Sequence, residues 1–335
     1  MHILGLSSGT KNGTSETLLK IALKEAAAAS PDVTISFLRL PEVAIPGSEQ
    51  PGIYDKRPAL GANSLESIGQ KIDDRPAVLE AILACDALIV ASPIYTRQAA
   101  GVLKFVCDRT LGPYVDAAAV EKAIAGMKSG DPRFKDTNPE QRVLKPRVGA
   151  LIAAGGATSV EWTSLALPML HQSVFSLHIR VVDQMVARGV PNPGVALADE
   201  ALPARAKRLG RNVASQLGKT FEEAEYLGDE TGGCPHCRLN TIVVHGTATN
   251  DVDCAVCGAK GRLIVGDSGK IQVQYFKEPR TSVITMEGKR MHMEEIEIVA
   301  RQTATSMADT EDARAEWKLM DQYKVELPSA RAHAS

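Results

Sequence analysis

The chain opens on a short apolar run, His2-Ile3-Leu4-Gly5-Leu6, then a polar stretch from Ser7 to Ser15, then Leu18, Leu19, Ile21, Ala22 and Leu23 at helical spacing. That order predicts strand, loop and helix, with the helix over 14–29 stopped by Ser30-Pro31. Val33 to Leu38 alternates as a second strand. The continuous apolar runs 87–91 and 148–154 predict strands buried on both faces, and His178 to Ala187 predicts a fifth. Helical spacing falls over 64–72, 74–84, 98–111, 160–176 and 199–223. Two segments interrupt the pattern: the Pro/Gly-rich stretch 41–72, and 112–146 with a helix near 116–127. Strands alternating with helices predict a doubly wound α/β domain over 1–225. The pattern does not fix the strand order. Ligands in such sheets bind beyond the carboxyl ends of the strands, where 7–15, 92–97 and 155–159 emerge.

The first of these loops carries chemistry of its own. Ser7, Ser8, Thr10, Thr14 and Ser15 offer hydroxyls, Gly9 and Gly13 let the backbone turn, and a helix start follows. Backbone N–H groups and the positive end of the helix dipole then converge on one point, which suits an anion. The loop lacks the Gly-Lys-Ser/Thr of a nucleotide triphosphate loop and the G-x-G-x-x-G of a dinucleotide site. A terminal phosphate monoester such as that of FMN fits it. A capped helix start without a ligand fits it equally well.

Composition narrows the class. At 335 residues, with 44% hydrophobic and 23% charged residues, the chain has the make-up of a soluble globular protein of two domains, or of one with extensions. A net charge of −2 gives no global pull towards nucleic acid or an anionic membrane. Aromatic residues at 4% argue against a base-stacking surface. No apolar run reaches the roughly 18–20 residues of a membrane span, and the N-terminus reads as a strand of the fold rather than a signal peptide. Four of the six cysteines fall in two close pairs, and Cys85 and Cys107 lie in apolar stretches, a usage that suits a reducing cytoplasm and core thiols.

With these residues in view, 1–112 and 147–187 resemble the NAD(P)H-dependent FMN reductase and multimeric flavodoxin family. The opening loop is similar to that family's Gly-x-Ser…Asn-Gly-x-Thr loop, one residue shorter. Cys85 to Arg109 resembles its Ala-Asp-x-Ile…Ser-Pro-x-Tyr…Gly-x-Leu-Lys-x…Asp-Arg segment through Ser92, Pro93, Tyr95, Gly101, Leu103, Lys104, Asp108 and Arg109. The resemblance implies a flavodoxin-like, five-stranded parallel sheet with FMN at its edge. It places Ser7, Thr10, Asn12, Gly13, Thr14 and Ser15 on the phosphate. Ser92, Pro93, Ile94 and Tyr95 then lie beside the ribityl chain and ring, and Gly155, Gly156 and Ala157 at the ring's far edge. It also implies NAD(P)H as co-substrate, a small electron acceptor (a quinone, a nitro or aromatic compound, or free flavin) and a dimer or tetramer. Tyr95 and Arg97 are the candidates for the substrate wall; no side chain stands out as acid or base. Asp108 and Arg109 read as an ion pair anchoring their helix. Iron–sulfur members of the family place cysteines before an Asp-Asp segment. Asp73-Asp74 resembles that segment, but 41–72 contains no cysteine, so a cluster there has no ligands.

A second motif stands apart from the first. Cys234-Pro235-His236-Cys237 and Cys254-Ala255-Val256-Cys257 give C-x2-C-x16-C-x2-C, the spacing of a double zinc knuckle. Four thiolates close a tetrahedral site and leave no open position, so the metal is expected to be structural zinc, with iron the rival. Flanking strands over 241–244, 261–265 and 271–276 make 231–278 a zinc ribbon and a possible docking point for a protein partner. Arg238, Lys260, Arg262 and Lys270 read as a solvated face rather than a nucleic-acid footprint. Residues 284–335 are expected to form a helical extension ending in a disordered tail. The expectation is a cytoplasmic FMN oxidoreductase. The alternative is a flavodoxin-type electron carrier or a binding module that docks through the ribbon.

Overall fold

A computed structural model of the chain describes residues 1–45, 73–111, 115–198, 200–229, 233–246, 248–277, 282–323 and 325. The helix expected over 64–72, most of the 41–63 excursion and the last ten residues lie outside these. The chain divides into two compact units, Met1–Arg290 and Met291–Ser335.

The larger unit is built on a parallel sheet. Its strands are β1 (His2–Ser7), β2 (Thr34–Arg39), β3 (Ala87–Tyr95), β5 (Val148–Ala154) and β6 (Arg180–Ala187), with a two-residue β4 (Gln98–Ala99) antiparallel to the end of β3. The order is β2-β1-β3-β5-β6, so the five parallel strands run 2-1-3-4-5 in chain order, the flavodoxin-like arrangement. Strand order reverses between β1 and β3. The loops that leave those two strands therefore diverge to opposite faces and open a crevice between them.

Burial follows strand alternation. Ile3, Ile89, Ile152 and Val182 face one core, with α1 (Thr14–Ala29) and α7 (Ala201–Gln216) over them. Leu4, Leu6, Leu88, Val90 and Leu151 face the other, covered by α2 (Arg75–Ala84), α3 (Gly101–Val106), α4 (Ala117–Ser129) and α5 (Ala166–His171). A short α6 (Pro193–Ala198) precedes α7. The outer strand β2 is exposed along most of its length. Its Phe37 ring is covered by Lys20 and Arg39, 5.1 and 5.5 Å from the centroid, so charges guard the open edge.

Three helices depart from expectation, the one over 199–223 by ending at Gln216, just before Gly218 with φ +79°. The span 98–111 begins as β4, because β3 continues past Ser92-Pro93 and folds back, and it ends in a π-turn over Cys107–Leu111. Of 160–176 only Ala166–His171 is α-helical. Pro168 has no N–H to give Ser164, so the helix cannot start a turn earlier. Beyond it the chain leaves in short turns that end at His178, with φ +53°.

Residues 234–275 form a four-stranded antiparallel sheet, β7 (Ile242–Val244), β8 (Asp251–Cys254), β9 (Lys260–Val265) and β10 (Ile271–Tyr275), in the order β10-β9-β8-β7. The polar residues of β8 gave it no apolar pattern. The four cysteines are part of the same hydrophobic cluster as Leu170 and Ile179, so this ribbon packs within the larger unit. Two further helices follow, α8 (Met286–Asp309) and α9 (Glu311–Lys318). Among the described residues no helix is long and apolar enough to cross a membrane.

Helix α1 is pinned from behind by α7. A Cβ at Gly210 would stand 2.1 Å from the carbonyl oxygen of Ala22, so only glycine lets the helices touch. Gly210→Ala must push α1 away from the sheet. It is expected to lower unfolding stability by about 1–3 kcal/mol, the usual range for overpacking, read from the denaturant midpoint.

Candidate functional site

The crevice between β1 and β3 is lined by the three loops. The first begins at Ser7 and Ser8, both buried. Ser8 is stitched to β3, its N–H donating to the Ala91 carbonyl at 2.9 Å. Asn12 takes a left-handed turn (φ +58°), and the Gly13 N–H closes on the Thr10 carbonyl at 2.9 Å. Gly13 is the N-cap of α1, and no side chain caps the helix, so its first amides face the loop. A Cβ at Gly9 would lie 2.6 Å from Ser15 Oγ and 3.1 Å from Pro93 Cδ, so the loop and the end of β3 abut there.

The second wall is a hairpin. Pro93 lies beyond the last β1 partner of β3, which is Ala91, so its missing N–H costs no bond to that strand. Tyr95 pairs with Gln98 across a two-residue turn of Thr96 and Arg97, with φ of +48° and +72°. Positive φ at both central residues is the turn that matches strand twist, and it is usually filled by Asn or Gly. The two non-glycine residues store strain at the hairpin tip. The buried Ser92 hydroxyl accepts the Ala100 N–H at 2.9 Å and so sets where the chain returns.

The third wall follows β5. Ile94 packs on Gly155, where an added Cβ would sit 3.1 Å from Ile94 Cβ. Gly155 N–H donates to the Ala187 carbonyl, Val190 N–H to Gly155 and Gly189 N–H to Ala157, at 2.9–3.0 Å. A fourth segment, 188–192, thereby joins the rim. The Thr14 hydroxyl donates to the Val190 carbonyl at 3.3 Å, which ties the first loop to it. Arg97 Nε donates to the Glu161 carbonyl at 2.8 Å and joins hairpin to third loop.

Beneath the first loop is a carboxylate that its pattern did not reveal. The Glu16 side chain is fully buried. It pairs with Arg39 through Nε at 2.7 Å and Nη2 at 3.0 Å, and with Lys20 at 2.7 Å. It also accepts the Asn12 N–H at 3.0 Å and the Ser7 hydroxyl at 3.3 Å. The Ser7 hydroxyl is therefore committed to Glu16. The Arg39 guanidinium leads in holding the Glu16 carboxyl down at about 2, against the burial that would raise it.

The two cysteine pairs come together. Their four Sγ atoms all lie within 4.8 Å of one another, and all four residues are buried. The knuckles are built alike. Cys234 N–H donates to Leu239 and Cys254 N–H to Ala259. Arg238 and Gly258 donate back to the first cysteine of each pair at 2.8 and 2.9 Å, and both have positive φ. A tetrahedral metal with bonds of about 2.3 Å puts its sulfurs about 3.8 Å apart. The observed Cys234–Cys257 and Cys237–Cys254 separations are 3.4 Å. The ribbon is fastened to the α/β layer by Gln184 of β6, whose Nε2 donates to the Cys237 carbonyl at 2.9 Å and whose Oε1 meets His171 Nε2 at 2.9 Å.

The remaining candidates are structural. Burial pushes His171 and His178 down to about 4, so both are neutral; His178 stacks on Phe221 at 4.1 Å. Cys85 and Cys107 are buried, which pushes their thiols up to about 11 and about 12. Asp108 accepts from Lys104, one helical turn back, at 2.5 and 2.7 Å. It was expected to pair with Arg109.

Residues 1–187 match the family model described as NADPH-dependent FMN reductase. A relative 37% identical over 334 residues, covering 98% of this chain and 99% of its own length, is the flavone synthase cfoJ of Aspergillus candidus. The chain belongs to the NADPH-dependent FMN reductase family. It is an oxidoreductase. A solved structure of a flavone reductase superposes with a TM-score of 0.73 at 23% identity, covering 98% of this chain and 100% of that one, which bears on the fold alone. The family match ends at the carboxyl end of β6, whereas the Aspergillus relative continues through the ribbon and α8. The reductase fold and its C-terminal third are thus shared as a unit.

Glu16 gives this reductase a defined acid response. Its folded-state carboxyl sits at about 2, below the ordinary 4.5. Its contribution to stability is therefore complete above about pH 4.5 and is lost as pH falls towards about 2. The stability gap between the wild-type chain and Glu16→Gln is expected to be widest above pH 4.5 and to shrink through that window, as measured by urea unfolding at a series of pH values.

Proposed function

We propose that this reductase binds FMN in the β1/β3 crevice and moves two electrons between NADPH and a flat aryl ketone of the flavone class. The FMN reading rests on one observation. The uncapped start of α1, the Gly9–Ser15–Pro93 contact and the Ile94–Gly155 contact meet at the point where strand order reverses. Their chemistry fits a phosphate monoester at one end and a flat ring at the other.

The loop residues Thr10, Asn12, Gly13, Thr14 and Ser15 would hold the phosphate through backbone amides and hydroxyls. Ser7 acts through Glu16, which fixes the loop from below. Ser92 sets the hairpin, and Pro93, Ile94 and Tyr95 flank the ribityl chain and ring. Gly155, Gly156 and Ala157 would meet the ring edge with their backbone, since Ile94 and Pro191 fill the space where side chains at the two glycines would stand. Tyr95 and Arg97 belong to the substrate wall. When bound, FMN supplies the centre that takes hydride from NADPH and passes it on. The chain orients the reactants and excludes water; no side chain of the site is placed as an acid or base.

The substrate class comes from the Aspergillus relative, which matches over nearly the whole of both chains and is named for a flavone. Flavone and its dihydro form differ by two hydrogens across one carbon–carbon bond, so one pocket can serve either direction of the two-electron transfer. For the four-cysteine site we propose structural zinc. Its donors are all thiols, it is closed, and it sits away from the strand edge behind Gln184. Four reduced thiols so close together suit a cytoplasmic location.

Gly9→Val places a side chain on Ser15 and Pro93. It is expected to weaken FMN binding at least about tenfold, or about 1.4 kcal/mol, in a fluorescence titration. The chain loaded with FMN should bleach on anaerobic addition of NADPH, faster than with NADH, and recolour when flavone is added. A loaded chain that neither nucleotide bleaches would refute the oxidoreductase assignment; bleaching without recolouring by flavone would remove the substrate class alone.

The ribbon yields a separate test. One zinc per chain is expected by mass spectrometry of the metal. Cys257→Ser should release it and lower the melting temperature, since one thiolate ligand and the Cys257 carbonyl's acceptance of Val283 N–H lie at one knuckle. Iron in place of zinc, seen as a visible charge-transfer band, would overturn the zinc assignment.

A further inference from the structure

We propose that Trp162 is the aryl platform of the substrate site, with Val160 and Tyr95 completing an apolar rim and Arg97 as its positioning residue. The assignment rests on the flavone-class reading above and names the surface that would read such a ligand.

Three large apolar side chains stand out at the strand edge. Trp162 is 56% exposed, Val160 63% and Tyr95 52%. Tryptophan is highly buried on average, and exposed apolar residues grouped on neighbouring loops mark binding surfaces. Tyr95 ends β3, Val160 and Trp162 sit on the loop that leaves β5, and the two segments are joined by the 2.8 Å bond from Arg97 Nε to the Glu161 carbonyl, next to Trp162.

The indole is held on an anchored backbone. On its far side Thr163 is buried, its N–H donating to the Val160 carbonyl at 2.9 Å and its hydroxyl accepting Arg188 Nε at 2.8 Å. Trp162 is therefore fastened through both neighbours while its own ring is free. Such a ring offers a large flat face and loses little conformational freedom on binding. The strained Thr96-Arg97 tip fits the same role. Positive φ at two non-glycine residues is retained where it delivers the Arg97 guanidinium to the third loop. A neutral, flat, aromatic ketone is the chemistry this rim matches.

The sequence has two tryptophans, Trp162 and Trp317. Trp317→Phe, in α9, leaves Trp162 as the single indole reporter. In the full FMN-loaded chain, flavone is expected to quench that emission to saturation. Equilibrium dialysis should give a Kd for flavone raised at least about tenfold by Trp162→Ala and brought back to within about threefold of wild type by Trp162→Phe. Arg97→Ala should raise the KM for flavone more than it lowers kcat. Wild-type and Trp162→Ala chains that bind flavone equally would overturn the assignment while leaving the substrate class standing. A wild-type chain that does not bind flavone would overturn both. Equal flavone binding joined to a smaller assembly of Trp162→Ala on size exclusion would make the rim a contact between copies of this chain and would also overturn it.

Discussion

The carboxylate of Glu16 joins the elements that make the crevice. It belongs to the first turn of α1, yet it takes a guanidinium from the end of β2, a hydroxyl from the end of β1 and the amide that holds Asn12 in its left-handed turn. A buried charge of this kind is tolerable only when its partners are complete, and removing one strands the others. The loop above is thereby tied to the ends of β1 and β2. Arg39 also pairs with Glu42 at 2.5 Å, so two cations and two carboxylates balance in the cluster, and an anion at the loop would be held by backbone amides and hydroxyls rather than by a net charge beneath it.

Much of this was legible along the chain. The runs 87–91 and 148–154 read as strands covered on both sides and are so, and α1 ends where Ser30-Pro31 stops it. The cysteine spacing needs four thiols in one place, and they meet there. What was not legible depends on partners distant in sequence. Strand order is set by crossovers, and no local pattern carries it. Ser92-Pro93 reads as a strand stop, but its proline lies past the end of β1 and the strand goes on. Thr96-Arg97 carries none of the Asn-Gly signal of a tight hairpin, and the strained turn is held instead by Glu161, far along the chain. Glu16 looked like an ordinary first-turn acid because Arg39 is 23 residues away.

The ribbon has two nearly equivalent knuckles that differ where strain is concerned. Gly258 takes its positive φ at no steric cost; Arg238 takes the same conformation against its Cβ. The arginine is retained with its guanidinium 5.4 Å from the Tyr226 ring, so the first knuckle also serves to hold the segment that follows α7. Together with the Gln184 bridge to Cys237, this makes the ribbon a clamp on β6 and its surroundings rather than an appendage.

The buried and exposed parts of the site answer different questions. Glu16, Ser7 and Ser92 are enclosed, and their hydrogen bonds are spent on backbone shape; they decide whether the crevice exists. Tyr95, Val160 and Trp162 have open faces, and in the proposed site they would meet what enters it. A change in the first group alters every reaction the crevice supports, whereas a change in the second alters which partner is reached. In the site proposed above, substrate choice would therefore rest on two short loops joined by the bond from Arg97 to Glu161, apart from the loop that Glu16 shapes.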